Sequence, residues 1–321
     1  MKHFWLSYLA TIILGGIFLI ILLWLIYPVF SRGKLKITSP LPDFLSMTKN
    51  KQVSLLDLFL PRIEESSDLK KPQISAKAAL VYDLTTKRTL FAKNQDERLP
   101  VASLTKIMTA IVALENKKSD DRFIVSQKDL VGENSMGLTA GETFTFSELL
   151  YGLMLASGND AAETLASNYD FGRENFVKAM NDKAKSLGLK NTHFTNPSGL
   201  EGDGNQYSTA YEMFVMSNYA ISNFPLFQKV VSTFQYTIPY SQAHKAIYLE
   251  NQTNLLTSYP GVKGIKDGYT PEARLCLVTY LEHEGHKIIG VILGSDDRRG
   301  EMKELLDYGL KKLGATPPLH E

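Results

Sequence analysis

Ser103 and Lys106 stand three residues apart in "VASLTKIMTA". On a helix, residues at that spacing share a face, so the amine can reach the hydroxyl. A serine hydroxyl attacks a carbonyl only when a base removes its proton. A lysine is such a base only where its neutral form is favoured, by desolvation or by nearby positive charge. The neighbours here are apolar or small. An N-cap serine with a surface lysine gives the same letters and stands as the alternative.

Two other stretches carry matching chemistry. In "LASGND", Ser157 and Asn159 flank Gly158 between two helical patterns. A tight turn there would present a hydroxyl that can relay a proton and an amide that can hold a carbonyl. The plainer reading is a turn with Asn159 or Asp160 capping the next helix. In "GVKGIKDGYTPEARLCLV", Lys266 and Gly268 precede an edge-like strand. The lysine would bring positive charge for an anionic substrate, and the glycine would let a ligand approach the backbone. A solvated strand entry is the alternative.

These side chains need elements to hold them. "AALVYDLTTKRTLFAKN" reads as two strands around a polar turn. Leu104, Ile107, Met108, Ile111, Val112 and Leu114 recur at helical spacing, predicting a helix from about Ser103 to Asn116. Helices follow in "FSELLYGLMLAS", entered through a Ser–Glu near-cap, in "NDAAETLASNY" and in "GRENFVKAMNDKAKSLGL", closed by Gly188. Another, "STAYEMFVMSNYAIS", is entered through Ser208 and Thr209. Strand patterns return in "ARLCLVTYLEH" and "KIIGVILG", and "EMKELLDYGLKKLG" closes the chain as a helix. Strands at both ends around a helical block predict one mixed domain whose sheet draws strands from both ends.

Composition narrows the classes. The chain has 321 residues, 44% apolar and 21% charged, which describes a globular protein. A net charge of +1 gives no electrostatic case for nucleic acid. The single cysteine, Cys276, excludes an internal disulfide framework and reads as a small buried hydrophobe. "HEGH" at His283 to His286 lacks the helical H-E-x-x-H spacing and reads as a hairpin turn, and "EGDGNQY" reads as a loop. No metal site is expected. From Phe4 to Ser31 no side chain is charged, a run exceeding the ~20 residues that a membrane-crossing helix needs. It ends without a small-residue cleavage site, so residues 1–31 are expected to form an uncleaved transmembrane anchor. Residues 32–74 read as a linker, 75–315 as the folded domain and 316–321 as a tail.

S-x-x-K, S-x-N and K-x-G in this order resemble the penicillin-recognising serine enzymes. The runs "YDLTTKRTLFAKNQDERLPVASLTKIMTA", "SELLYGLMLASGNDAAETLA", "FTNPSGL", "GIKDGYTPEA" and "KELLDYGL" are similar to low-molecular-weight D-alanyl-D-alanine carboxypeptidases, over about residues 75 to 313. The resemblance implies an α+β fold of the β-lactamase/transpeptidase type: a five-stranded antiparallel sheet flanked by helices, with a helical subdomain. It implies that Ser103 attacks the carbonyl between two D-alanines of a peptidoglycan stem peptide and that Lys106 takes its proton. Ser157 would carry a proton to the leaving amine, Asn159 would hold the acyl part, and Lys266 would sustain the network. The N–H groups of Ser103 and Tyr269 would bind the oxyanion. Asp267 and Gly268 would line the substrate site, and Arg298, with Arg299 as rival, would meet the terminal carboxylate. No cofactor is implied. β-Lactam antibiotics would be covalent inhibitors.

Two positions depart from the family pattern. Asp267 stands where threonine is usual, and an ionised carboxylate there would repel a substrate carboxylate. Arg274 stands where glycine is usual and is a candidate partner for Asp267. A D,D-endopeptidase cutting crosslinks, or a weakly active or inactive wall-binding relative, therefore stand as alternatives. A class A β-lactamase is disfavoured, because Glu163 lies inside a helical pattern without the expected loop. Lys2 before the apolar run and Arg32, Lys34 and Lys36 after it slightly favour a cytoplasmic C-terminal side. A wall peptidase must face outward, so an extracytoplasmic domain on a single-pass anchor is expected against that count. The anchor would replace the C-terminal amphipathic helix of other members, since the chain stops at "GATPPLHE".

Overall fold

The computed structural model describes residues 69–117, 120–253 and 255–320. The expected anchor over 1–31 and nearly all of the linker lie outside the described residues. Among these, no helix is long and apolar enough to cross a membrane.

Strands β1 (Ala78–Asp83) and β2 (Arg88–Lys93) form the expected first hairpin. The long helical block follows: α1 (Lys106–Glu115), α2 (Phe146–Leu155), α3 (Asn159–Ser167), α4 (Arg173–Ser186), α5 (Ala210–Asn223) and α6 (Pro225–Val231). Two short hairpins interrupt it, β3 (Phe123–Ile124) with β4 (Thr143–Phe144) and β5 (Gln235–Ile238) with β6 (Ile247–Glu250). After a single turn, α7 (Leu255–Ser258), come β7 (Val262–Thr270), β8 (Arg274–His283), β9 (His286–Ser295) and the closing helix α8 (Arg298–Lys312). The main sheet has five strands in the order β2-β1-β9-β8-β7, antiparallel throughout, so β1 from one end of the domain pairs with β9 from the other.

Alternation along the strands explains the two layers. Leu80, Val278, Tyr280, Ile289, Val291 and Leu293 point into the core shared with α1, α2 and α5. Their neighbours Val81, Leu277, Leu281, Ile288 and Ile292 point the other way, onto Met302, Leu305, Leu306 and Leu310 of α8. A period of two with both faces apolar is the signature of a sheet covered on both sides. Cys276 is fully buried in the first core.

Local chemistry sets the helix ends. Thr145, not Ser147, caps α2: its hydroxyl accepts from the Glu148 N–H and the Glu148 carboxylate accepts from the Thr145 N–H. Thr209 caps α5 through the Glu212 N–H, and Gly188, at φ +77°, follows the end of α4 as expected. The "HEGH" stretch is the β8–β9 turn, with Glu284 at φ +45° and Gly285 at φ +81°.

Candidate active site

Ser103 does not begin an α-helix. It lies in a 3₁₀ turn, Ala102–Thr105, and the α-helix starts at Lys106. The turn is entered with Ala102 at φ +48°, a left-handed conformation that a residue with a Cβ adopts only when its surroundings enforce it. Those surroundings are two glycines. Gly199 lies so close that an added Cβ would be 2.0 Å from the Ala102 carbonyl oxygen, and Gly268 of β7 lies so close that one would be 3.1 Å from the Ser103 nitrogen. The reactive turn is thus clamped between the "NPSGL" loop and the edge strand of the sheet.

Lys106 is wholly buried. Its Nζ lies 3.0 Å from Ser103 Oγ, 2.7 Å from Asn159 Oδ1 and 2.6 Å from the Ser198 carbonyl oxygen. Burial, and then the positive charge of Lys266, hold its pKa well below the ordinary lysine value, against the pull of Asp267, Asp160 and Glu163. A neutral amine has two N–H groups and one lone pair. The two carbonyl oxygens account for both N–H groups, and the lone pair is left for the Ser103 hydroxyl.

The other expected residues converge on this point. Asn159 opens α3, and its Nδ2 donates to the Gly132 carbonyl. Ser157 stands on the turn before it, at φ +56°; its hydroxyl is buried without a hydrogen-bond partner among the described residues. Asp160, read from sequence only as a cap, ties down the loop facing the site. It accepts from the N–H groups of Met136, Gly137 and Leu138 and from the Ser135 hydroxyl.

Lys266 and Gly268 precede β8 but themselves lie within β7, which is the edge strand in its place, because that strand runs on through the charged pair. Asp267 does not pair with Arg274. Its Oδ1 accepts from Lys266 Nζ at 2.8 Å and its Oδ2 from Arg298 Nη2 at 2.7 Å, while Arg298 Nη1 donates to the Gly268 carbonyl at 2.7 Å. Burial pushes the Asp267 carboxyl up, but Lys266 and Arg298 outweigh it and hold it below the usual range. Arg298 is fixed by its place at the start of α8, where Asp297 caps through the Gly300 N–H and Glu301 accepts from the Ser295 hydroxyl. Arg274 instead pairs with Asp296, and it sits at φ +58° after the three-residue turn from β7, which is where glycine is conformationally easiest. Tyr269 follows Gly268 in β7 and its side chain is exposed.

Sequence reasoning missed the Ser198 carbonyl and Asn196, whose Oδ1 accepts from the Gly199 N–H at 2.7 Å and whose Nδ2 donates to the Leu200 carbonyl. The only signal was the "FTNPSGL" run. Beside the Ser103 turn opens a cavity of about 280 Å³, lined among others by Ala102, Gly199, Glu201, Tyr207, Thr270 and Glu272.

With this geometry in view, the comparisons decide the family. A family model described as D-alanyl-D-alanine carboxypeptidase matches residues 65–297. The chain belongs to that family. A D-alanyl-D-alanine carboxypeptidase of Bacillus subtilis is 36% identical over 255 residues, which is 77% of this chain but only 64% of that relative's length. A D-alanyl-D-alanine carboxypeptidase of Streptomyces sp. strain K15 is also 36% identical, over 74% of this chain and 88% of its own. The crystal structure of the Streptomyces K15 DD-transpeptidase superposes with a TM-score of 0.70 at 33% identity, covering 76% of this chain and all of that one. The five-stranded antiparallel sheet with its helices is the fold of that enzyme.

Proposed function

We propose that the protein is a serine D-alanyl-D-alanine peptidase acting on peptidoglycan stem peptides as a carboxypeptidase, through an acyl-enzyme. The observation that carries this is the buried amine of Lys106, 3.0 Å from Ser103 Oγ and held between Asn159 Oδ1 at 2.7 Å and the Ser198 carbonyl oxygen at 2.6 Å. Ser103 Oγ bonds to the carbonyl carbon of the penultimate D-alanine as Lys106 takes its proton. The N–H groups of Ser103 and Tyr269 receive the oxyanion, a contribution of about 10²–10³ in rate per donor. The amide C–N bond then breaks and the leaving amine takes a proton through Ser157, whose hydroxyl is buried and has no hydrogen-bond partner among the described residues. Asn159 holds Lys106 and the acyl side; Lys266 keeps the cleft positive. Water hydrolyses the ester and restores Ser103. β7 is an edge strand, so its outer edge offers backbone groups to an extended peptide.

The apolar run from Phe4 to Ser31 supports a single membrane anchor with the peptidase domain on the outer side, where peptidoglycan is. Protease added to intact cells should remove the domain; protection would refute this orientation.

The deciding experiment is incubation of the full-length protein, in detergent, with a fluorescent penicillin. A covalent band that vanishes in Ser103→Ala is expected. A folded protein that takes no label would refute the reading. Release of free D-alanine from a pentapeptide then separates carboxypeptidase from endopeptidase action.

A further inference from the structure

Four cations near the reacting serine are each bonded to groups of the protein. Lys106 is buried and turned to Ser103, Asn159 and Ser198. Lys266 Nζ is bonded to Asp267. Arg274 is paired with Asp296. Arg298 donates from one terminal nitrogen to the Gly268 carbonyl and from the other to Asp267. A substrate carboxylate one residue beyond the scissile carbonyl needs a cation. The two closest to β7, Lys266 and Arg298, are bridged by one buried carboxylate that belongs to the protein. Asp267 is only 7% exposed, so solvent screens its charge poorly. A free-acid substrate would have to displace this bridge and bear the repulsion of a fixed like charge. A substrate whose leaving amine carries an amide, or no adjacent carboxyl group, meets neither obstacle.

We propose that Asp267 is a built-in substitute for a substrate carboxylate, and that the site therefore does not require a terminal free acid but also hydrolyses D-alanyl amide bonds whose leaving amine bears no adjacent carboxylate, internal or C-terminally amidated. This rests on the reading of Ser103 as the nucleophile. Ser103 Oγ bonds to the carbonyl carbon, the amide C–N bond breaks, the amine leaves with the proton held by Lys106, and one water is consumed in deacylation. Only the leaving group changes. The specificity is set by a residue that acts through Arg298 and Lys266, so its signature is a ratio of substrates and not a level of activity.

The test uses the full-length protein and two probes, an N-acylated tripeptide ending in D-Ala-D-Ala and its C-terminal amide. The readout is the ratio of kcat/KM for acid over amide. In the wild type it should lie at or below one. In Asp267→Thr it should rise about ten-fold or more, the worth of a regained charged hydrogen bond. Asp267→Asn, nearly isosteric, should shift it the same way by less, and it carries the test if the threonine variant fails to fold. A wild-type ratio already ten-fold in favour of the acid, or a ratio that neither folded variant raises, overturns the proposal. If neither probe is hydrolysed in a Ser103-dependent way, the nucleophile reading fails first and takes this inference with it.

Discussion

Gly268 of β7 lies directly against the backbone of Ser103: a Cβ added to it would stand 3.1 Å from the serine nitrogen and 3.2 Å from the Val101 carbonyl oxygen. Both are main-chain atoms, so the contact is relieved only by shifting the turn itself by a few tenths of an ångström. Gly268→Ala should slow penicillin acylation by about ten- to a hundred-fold through displacement of the nucleophile. The melting temperature should change little. Normal acylation in a folded variant would show that the turn is not clamped as described.

Gly199 presses on the same turn from the other side, at φ +88° with its Cβ position 2.0 Å from the Ala102 oxygen. Gly199→Ala combines left-handed strain with a backbone collision. It should lower unfolding free energy by about 3 kcal/mol or more, read by urea denaturation. A loss below about 1 kcal/mol would mean that the loop has slack.

Asp160 collects hydrogen bonds from three backbone N–H groups and a hydroxyl of one loop. In Asp160→Asn one oxygen becomes an amide NH2 group that faces donors. Stability should fall by about 2 kcal/mol, and the loop that holds Asn159 should loosen. Acylation should fall with it, and amide exchange at Met136 to Leu138 should quicken. Unchanged exchange would contradict this.

Lys106 must be neutral to act. Burial and Lys266 lower its pKa, so the amine is free at lower pH than an ordinary lysine. Acylation should slow on the acid side as the ammonium forms and occupies the lone pair. Lys106→Arg, protonated throughout, should lose about 10²–10⁴ in rate at every pH. Acylation rate constants followed against pH check both statements; a flat profile or an active arginine variant would refute the base assignment.

Asp267 has a carboxyl pKa held below its unfolded value, since the attraction of Lys266 and Arg298 outweighs burial. A depressed carboxyl contributes stability above its unfolded pKa and loses it as pH falls through the folded one. Wild type should therefore lose stability more steeply than Asp267→Asn between about pH 5 and pH 2. Parallel denaturation curves across that window would show that the bridge contributes nothing to folding.

What the sequence disclosed, and what it hid, has a physical pattern. Ser103 and Lys106 were legible because contact follows from their spacing, and the layers because strand and helix periods are local. The Ser198 carbonyl was not, since a backbone oxygen has no residue type. Arg274 is a candidate partner for Asp267 in the sequence because it lies only seven residues on. The β7–β8 hairpin instead sets it opposite Thr270, while the sheet order brings the more distant Arg298 to β7. The hairpin of β5 and β6 went unread because "QYTI" and "IYLE" are too short for a period of two to stand out.

The pairing of β1 with β9 also bears on how the molecule comes into being. A nascent chain releases its nucleophile and base early, but the strand that flanks them, the arginine that faces them and the partner that completes the sheet emerge last. Contacts so far apart in sequence form slowly and late. A product truncated before β9 would leave β1 with an open, apolar edge, prone to stick to other chains, and Asp267 without its Arg298 partner.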